Sequence, residues 1–308
     1  MSTAFIFPGQ GSQTIGMLKV LSEQYTSVIE TFSEASEALG YDLWQLCQEG
    51  PAEQLSQTEF TQPALLTAGV AVWRVWQAQG GATPDVMAGH SLGEYTALTC
   101  AGALTFSDAV TLVQDRGRYM QSAVPAGEGA MAAIIGMDDE AVIKTCEAAA
   151  KNGVIQAVNF NAPGQVVIAG EKSAIDASVE LFKEAGAKRA LPLPVSIPAH
   201  SKLMTPAAKK LRERIANVDV NLPEIPVIHN CNVSIAGSGD EVRENLVSQL
   251  DSPVLWVKCV EKMVDDFSIT KAIESGPGKV LAGMIKRIDK TIATSAVDTP
   301  DALSAETN

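Results

Sequence analysis

The sequence predicts an α/β fold, in which a parallel sheet flanked by helices carries a small inserted ferredoxin-like subdomain. Two observations lead to this prediction. Short apolar segments typical of strands alternate with longer helical segments along most of the chain, which favours an α/β sheet. Between residues 125 and 196 the order changes to β-α-β-β-α-β within about 70 residues, which is the ferredoxin-like unit.

The larger part is predicted to be discontinuous and to comprise residues 1–124 and 197–308. Its first strand, Ala4–Phe7, runs into the glycine-rich turn PGQGSQ. The segment QPALLTAGVAVWRVWQAQGG is apolar on nearly every helical face, which predicts a helix buried on both sides. The short strand DVMA then leads into a helix that follows Ser91.

The smaller part, residues 125–196, contains the remaining pattern. GAMAAIIGM predicts a strand, and DDEAVIKTCEAAAKNG predicts a helix that ends at Gly153. IQAVNFNAPGQVVIAG predicts a hairpin that turns at residues 162–164. EKSAIDASVELFKEAGA and KRALPLPV predict the second helix and the last strand of the unit.

Composition limits what the chain can bind. The 308 residues carry a formal net charge of −13, and the sequence pI is about 4.7, which argues against nucleic acid because phosphate binding needs a basic face. No stretch approaches the roughly 18 consecutive apolar residues of a membrane span. The five cysteines are scattered without a C-x-x-C pair, which predicts reduced thiols in a cytoplasm. The polar residues 298–308 are expected to fray.

Two short runs are basic, although the chain as a whole is acidic. They are AAKKLRER, with Lys209, Lys210, Arg212 and Arg214, and IKRIDK, with Lys286, Arg287 and Lys290. Each run is either a solvated helix face or a docking patch for an acidic partner.

The segment GHSLGEY fits the pattern Gly-x-Ser-x-Gly around Ser91. In a nucleophile elbow a strand leads into the serine, and small residues stand two positions on either side, where the chain reverses sharply. DVMA precedes, and Gly89 and Gly93 occupy those two positions. The alternative is a capping box, because Ser91 and Glu94 also have the Ser-x-x-Glu spacing of a helix start.

A serine nucleophile needs a base, and the chain has three histidines. His90 is adjacent to Ser91, so its side chain is expected to point away. His229 lies in strand-like sequence, where a hydrogen-bonded core histidine is the simpler interpretation. His200 begins the segment HSKLM, and at a helix N-terminus the helix dipole favours the neutral imidazole that a base requires. The alternative for His200 is a helix-start residue exposed to water.

Three further positions have a predicted place beside the serine and the histidine. Gln249 lies in the last turn of a helix stopped by Pro253, where a carbonyl lacks a helical partner and can accept from the imidazole. The alternative interpretation is that Gln249 is only a residue at the end of a helix on the surface. The backbone N–H of Leu92 and the backbone at Gln10, between two glycines, are candidate donors to an oxyanion.

Arg116 lies on the apolar side of the predicted helix TFSDAVTLVQDRGRYMQSAV, whereas Arg118 belongs to its polar stripe. A buried guanidinium is costly unless it is paired with an anion. That anion is either an internal carboxylate such as Glu94 or the carboxylate of a substrate, held by a charge-assisted two-pronged contact.

Six segments together resemble the malonyl-CoA:acyl carrier protein transacylases: FPGQGSQ, GHSLGEYTAL, VQDRGRYMQ, NFNAPGQVVIAG, PVSIPAHSKLM and ESGPGKVL. The likeness runs in order along nearly the whole chain. It implies an α/β-hydrolase-like core and a ping-pong transfer of a malonyl group through a Ser91 ester. It also implies malonyl-CoA and an acidic acyl carrier protein as partners, and no cofactor, since coenzyme A is part of the substrate.

The resemblance assigns each site residue a role. Ser91 matches the nucleophile, His200 the base and Arg116 the carboxylate-binding residue. Gln10 and Leu92 match the oxyanion donors, and the main-chain carbonyl of Gln249 orients the histidine.

The same architecture also serves as a free-standing acyltransferase of polyketide synthases. A serine thioesterase or hydrolase, which Arg116 disfavours, and a non-catalytic binding module are the rival classes.

Overall fold

The computed structural model describes residues 2–195 and 197–307, so Met1, Ser196 and Asn308 lie outside the described residues. Ser196 belongs to the segment PVSIPAHSKLM and closes the predicted subdomain. The helices are α1 (Lys19–Gln24), α2 (Ser27–Leu39), α3 (Leu43–Glu49), α4 (Ala52–Leu55), α5 (Thr58–Ala78), α6 (Leu92–Cys100), α7 (Phe106–Ala123), α8 (Asp139–Ala149), α9 (Lys172–Glu184), α10 (Thr205–Ile215), α11 (Gly239–Gln249), α12 (Trp256–Phe267), α13 (Val280–Ile288) and α14 (Pro300–Thr307).

Within the described residues, the strands form two separate sheets. They are β1 (Thr3–Phe7), β2 (Val86–Gly89), β3 (Gly129–Ile135), β4 (Ile155–Ala162), β5 (Gln165–Glu171), β6 (Arg189–Pro192), β7 (Val227–Ile228), β8 (Lys271–Glu274) and β9 (Ala293–Ala296). One sheet has the order β7-β2-β1-β8-β9 and the other the order β4-β5-β3-β6.

The five-stranded sheet is parallel throughout. Phe7 pairs with Gly89 and Ile6 pairs with Glu274, so the carboxyl ends of β1, β2 and β8 lie side by side. The turn with Gln10 and the segment with Ser91 therefore leave the sheet at the same edge. In open α/β sheets this edge is where ligands bind.

Helix α5 packs against this sheet as the sequence predicts. Nearly every residue from Thr58 to Trp76 is buried, because the helix lies between the sheet on one side and other helices on the other. Phe5 of β1 meets the rings of Trp73 and Trp76 edge-on, with centroids 5.2 and 4.9 Å away. This contact fixes the first strand beneath the site.

The four-stranded sheet is antiparallel, with α8 and α9 connecting its strands. Its order is that of a ferredoxin-like unit, which confirms the predicted α/β class with an inserted unit of this type. Two main-chain hydrogen bonds join β4 to the larger part: Val254 N–H donates to the Val158 carbonyl at 2.8 Å, and Phe160 N–H donates to the Val254 carbonyl at 3.0 Å. The division into residues 1–124 with 197–308 and residues 125–196 stays a prediction.

The predicted fraying of residues 298–308 is wrong for residues 300–307, and Asn308 lies outside the described residues. Residues 300–307 form α14, and Leu303 is fully buried against the larger core. A single apolar side chain gives little periodicity in a polar sequence, yet its burial is enough to dock a short helix. Among the described helices, none is both long enough and apolar enough to cross a membrane.

Candidate active site

Ser91 stands in a sharp turn between β2 and α6. Its backbone has φ 52° and ψ −104°, which is strained for a residue with a Cβ. A Cβ added at Gly89 would lie 1.8 Å from the carbonyl carbon of Gly93, and one at Gly93 would lie 2.0 Å from the Phe7 oxygen. The Ser91 side chain accepts no capping hydrogen bond from α6, so the capping-box alternative is wrong and the elbow geometry is present.

Asn230 holds this turn from both sides, and the sequence prediction missed it. Its Oδ1 accepts from Ser91 N–H at 2.7 Å, and its Nδ2 donates to the Gly89 carbonyl at 2.7 Å. The residue is fully buried just beyond β7, next to β2 in the sheet. The only signal in the sequence is a polar pair, His229-Asn230, at the end of an apolar strand.

His200 lies at hydrogen-bond distance from the serine. Ser91 Oγ is 2.8 Å from His200 Nε2, and His200 Nδ1 is 2.8 Å from the main-chain oxygen of Gln249. A carbonyl only accepts, so Nδ1 carries the proton and Nε2 is free to accept from the serine hydroxyl. This is the tautomer that a general base needs.

The reason for the neutral imidazole differs from the predicted one. His200 has φ 64° and precedes a 3₁₀ turn, Lys202–Met204, so it does not occupy the first turn of α10. It is 3% exposed, which also makes the water-exposed alternative wrong. Burial, reinforced by the positive charge of Arg116, lowers the pKa of His200 to about 3. Desolvation rather than a helix dipole therefore keeps the base neutral.

Arg116 is buried beside the serine at 1% exposure. Its Nη1 donates to Gln62 Oε1 at 2.8 Å, and its Nη2 donates to Gln249 Oε1 at 2.9 Å and to Ser91 Oγ at 3.2 Å. The guanidinium carbon lies 5.2 Å from the centre of the Tyr95 ring. Burial lowers the pKa of Arg116, and the neighbouring Tyr95 and Glu94 oppose this effect.

No carboxylate among the described residues forms an ion pair with Arg116, so the alternative of Glu94 as its direct partner is wrong. Glu94 accepts instead from His229, from the backbone of Asn230 and from Gln249. Arg118, by contrast, is half-exposed and pairs with Glu59 at 2.9 Å, as its polar stripe predicts. The neutral amides around Arg116 fix the guanidinium without cancelling its charge.

Gln249 is fully buried, so the surface alternative is wrong. Its main-chain oxygen accepts from His200, and its side chain bonds with Arg116, with the Ser91 carbonyl at 3.0 Å and with Glu94 at 2.8 Å. One residue at the end of α11 therefore contacts the histidine, the arginine and the serine.

A cavity of about 410 Å³ opens over these groups. Gln10, from the turn after β1, and Leu92, the first residue of α6, line it beside Ser91. Met131 of β3 and Leu193, which directly follows β6, also line it. The pocket thus lies between the edge of the parallel sheet and the ferredoxin-like unit. Across residues 2–195 and 197–307, no cluster of three or more His, Cys, Asp or Glu side chains could hold a metal ion.

The other two histidines bond to residues other than Ser91. His90 Nε2 donates to Asn161 Oδ1 at 2.8 Å, so the side chain bonds away from the serine as predicted. His229 is fully buried and its Nδ1 lies 2.7 Å from Glu94 Oε1, which confirms the core-histidine interpretation.

Comparison with known proteins shows the family of this chain. The acyl transferase domain model matches residues 4–293. The malonyl CoA-acyl carrier protein transacylase of Escherichia coli (strain K12) is 57% identical over 302 residues, which cover 98% of this chain and 97% of that protein. This chain belongs to the malonyl CoA-acyl carrier protein transacylase family.

Solved structures of the family have the same fold. An acyl carrier protein S-malonyltransferase from Vibrio cholerae matches with a TM-score of 0.97 and 56% identity, covering 99% of each chain. A malonyl-transacylase solved in complex with a type II PKS acyl-carrier protein matches with a TM-score of 0.98 and 49% identity, covering 100% of this chain and 99% of that one. The roles of the six site residues stay predictions, because these names state activities and not residues.

Proposed function

We propose that this chain moves a malonyl group from malonyl-CoA, through an ester on Ser91, to the phosphopantetheine thiol of an acyl carrier protein in fatty acid synthesis. The observation that carries the proposal is that Ser91 Oγ lies 2.8 Å from His200 Nε2 and 3.2 Å from Arg116 Nη2. A nucleophile, a neutral base and a buried cation with no carboxylate partner in the described chain suit an acyl group with a free acid.

In the first half-reaction, His200 Nε2 takes the proton of Ser91 as Oγ bonds to the thioester carbon. The negative charge that develops on the carbonyl oxygen is stabilised by the backbone N–H groups of Leu92 and Gln10. The C–S bond then breaks, and the coenzyme A sulfur leaves with the proton from His200. The carbonyl of Gln249 keeps Nδ1 protonated throughout, so the imidazolium that forms remains hydrogen-bonded.

The second half-reaction reverses these steps with a different thiol. His200 takes the proton of the carrier thiol, whose sulfur attacks the ester, and Ser91 Oγ leaves and regains its proton. Arg116 holds the distal carboxylate in both halves, which keeps the acyl carbon beside the base. Both substrates are thioesters or thiols, so acyl exchange needs no further cofactor.

The proposed partner is acidic, and part of each basic run is available to meet it. Arg212 and Arg214 of α10 pair with Glu244 and Asp115. Lys209 and Lys286 are exposed and are the charges that we propose for carrier docking. Reversing both charges should raise the KM for the carrier and leave the KM for malonyl-CoA unchanged.

We also propose a cytoplasmic location, which the five free cysteines favour. The same chemistry serves a fatty acid carrier and a polyketide carrier, so the proposed role in fatty acid synthesis is tested with both. Rates measured with carriers from both pathways distinguish the two roles.

The direct test of the transfer is to mix the protein with malonyl-CoA, with and without a holo acyl carrier protein. We expect malonyl-carrier to form, and free malonate to appear much more slowly. Release of malonate at the same rate without the carrier would identify a hydrolase. Absence of both products would leave only a binding module.

A further inference from the structure

Glu94 is the only buried carboxylate that joins the separate parts of this site within the described chain. It is fully buried three residues after Ser91, in the first turn of α6. Its Oε1 lies 2.7 Å from His229 Nδ1, and its Oε2 accepts from Asn230 N–H at 2.9 Å and from Gln249 Nε2 at 2.8 Å. Three donors around one carboxylate offset the cost of burying its charge.

The hydrogen bonds that run from Arg116 through Gln249 to Glu94 have a fixed direction. A carboxylate only accepts and a guanidinium only donates, whereas a glutamine amide has one end of each kind. Gln249 lies between the two: its Nε2 faces Glu94, and its Oε1 faces Arg116 Nη2 at 2.9 Å. With the acceptor at Glu94, the amide must point its oxygen at the arginine.

We propose that Glu94 is a positioning residue, which sets the orientation of the Gln249 amide and through it the place of the Arg116 guanidinium that grips the substrate carboxylate. The inference rests on the proposed function. Without an acceptor at position 94, the amide keeps only the Ser91 carbonyl as a partner for Nε2. It can then rotate and present N–H groups to Arg116, which displaces the guanidinium.

The amide also separates two opposite charges. A direct Arg116–Glu94 ion pair would hold the guanidinium away from an incoming carboxylate and compete with it. Because Gln249 occupies the space between them, Glu94 anchors the arginine through a neutral group. The preference for a diacid over a simple acyl group therefore depends on a residue that touches no substrate.

Glu94→Met and Glu94→Gln separate this role from general destabilisation. The methionine fills the space but accepts no hydrogen bond. The glutamine keeps an oxygen towards Asn230 and Gln249, and its amide NH₂ can face His229 Nδ1. His229 can then carry its proton on Nε2, which has no partner among the described atoms. We expect Glu94→Met to lower the ratio of kcat/KM for malonyl-CoA to kcat/KM for acetyl-CoA by at least about tenfold, mainly through a higher KM for malonyl-CoA. A change of about tenfold is typical of the loss of one charge-assisted hydrogen bond.

Glu94→Gln should restore that ratio to within about threefold of the wild type, since its bonds keep the same direction. Glu274→Met is the matched control, because Glu274 is also fully buried but binds only backbone N–H groups at the start of α13. It should lower stability and leave the ratio unchanged. Should Glu94→Met fail to fold, Gln249→Met breaks the same path, keeps the main-chain carbonyl and should show the same loss.

The proposal is overturned if Glu94→Met or Gln249→Met retains the malonyl preference, or if both thioesters lose activity equally. Equal losses in the Met and Gln variants would also overturn it, because charge rather than bond direction would then matter. These outcomes differ from a failure of the proposed function, in which the wild type itself would not take up malonyl from malonyl-CoA.

Discussion

Two strand-to-helix turns leave the same edge of the parallel sheet and differ in which residues carry the unusual backbone. After β2 the positive φ belongs to Ser91, at 52°. After β8 the positive φ values belong to Gly276 and Gly278, at 134° and 90°. Glycine adopts this region without steric cost, whereas serine does not. Only the first turn therefore stores strain, and it stores it at the predicted nucleophile.

A fully buried glutamate stands beside each turn, and the two are used differently. Glu274 accepts from Leu281 N–H at 3.1 Å and from Ala282 N–H at 2.8 Å, which satisfies the start of the next helix. Glu94 bonds with residues far away in sequence, namely His229, Asn230 and Gln249. The structural turn is thus stabilised locally, while the turn at the site is held by distant segments.

The largest effect expected in the first turn comes from Ser91→Ala. It removes the nucleophile and keeps the backbone, so malonyl transfer should fall by at least about 10⁴-fold. Gly276→Ala in the second turn should leave the transfer rate per folded molecule unchanged. Steady-state assays of both variants check the contrast, and comparable losses in both would break it.

Arg116→Ala should produce the next largest effect. Loss of the buried cation should reduce kcat/KM for malonyl-CoA by about 10²–10³-fold and leave acetyl-CoA unaffected or better used. Arg118→Ala is the matched control, since Arg118 is half-exposed on the same helix and pairs with Glu59. A similar loss for both acyl groups would contradict the carboxylate-binding role.

The two regions should also respond oppositely to pH. Burial lowers the pKa of His200 to about 3 and raises the pKa of Glu274 to about 7. The unfolded chain protonates His200 first as pH falls below about 6.5, so wild type should lose about 2 kcal/mol of unfolding free energy from this group by pH 5. The contribution of Glu274 is instead present below its unfolded pKa of about 4.5 and is lost as pH rises through about 7.

Denaturant titrations between pH 5 and pH 8 check these signs. His200→Asn should be less sensitive than wild type to acidification. Glu274→Met should be less sensitive than wild type to the rise in pH. An unchanged pH profile in either variant would show that the group does not titrate in that window.

The smallest effect concerns backbone strain. Ser91→Gly should be more stable than Ser91→Ala by about 1 kcal/mol, because glycine relieves the strained φ and neither variant keeps the hydroxyl. Gly276→Ala should lower stability relative to wild type, since an added Cβ would lie 3.0 Å from Pro8 Cγ at a positive φ. Thermal unfolding of the three variants and the wild type checks both signs: equal stability of Ser91→Gly and Ser91→Ala would show that the first turn stores no strain.

Local chemistry explains what the sequence predicted correctly. The elbow needs a strand, two glycines and a serine within a few residues, and the ferredoxin-like unit follows from the order of short periodic segments. The buried position of Arg116 follows from its place on an apolar helical stripe. Each of these signals lies within one element or one turn.

Long-range partners explain what was missed. Asn230 and Gln62 contact the site through bonds to residues more than 50 positions away, which local patterns reveal poorly. The sequence indicated Glu94 only as a capping residue or as the direct partner of Arg116, and its bond to Gln249 spans 155 positions. The neutrality of His200 was expected from a helix dipole but arises from burial and Arg116, which only the packed structure provides. Helix α14 was missed because one buried leucine anchors it.

The most direct test of the central claim is rapid-quench mass spectrometry of the intact protein mixed with malonyl-CoA alone. We expect one malonyl adduct per chain, located on Ser91, absent in Ser91→Ala and discharged on addition of holo acyl carrier protein. Malonyl transfer that proceeds without any adduct, or with the adduct on another residue, would contradict the account.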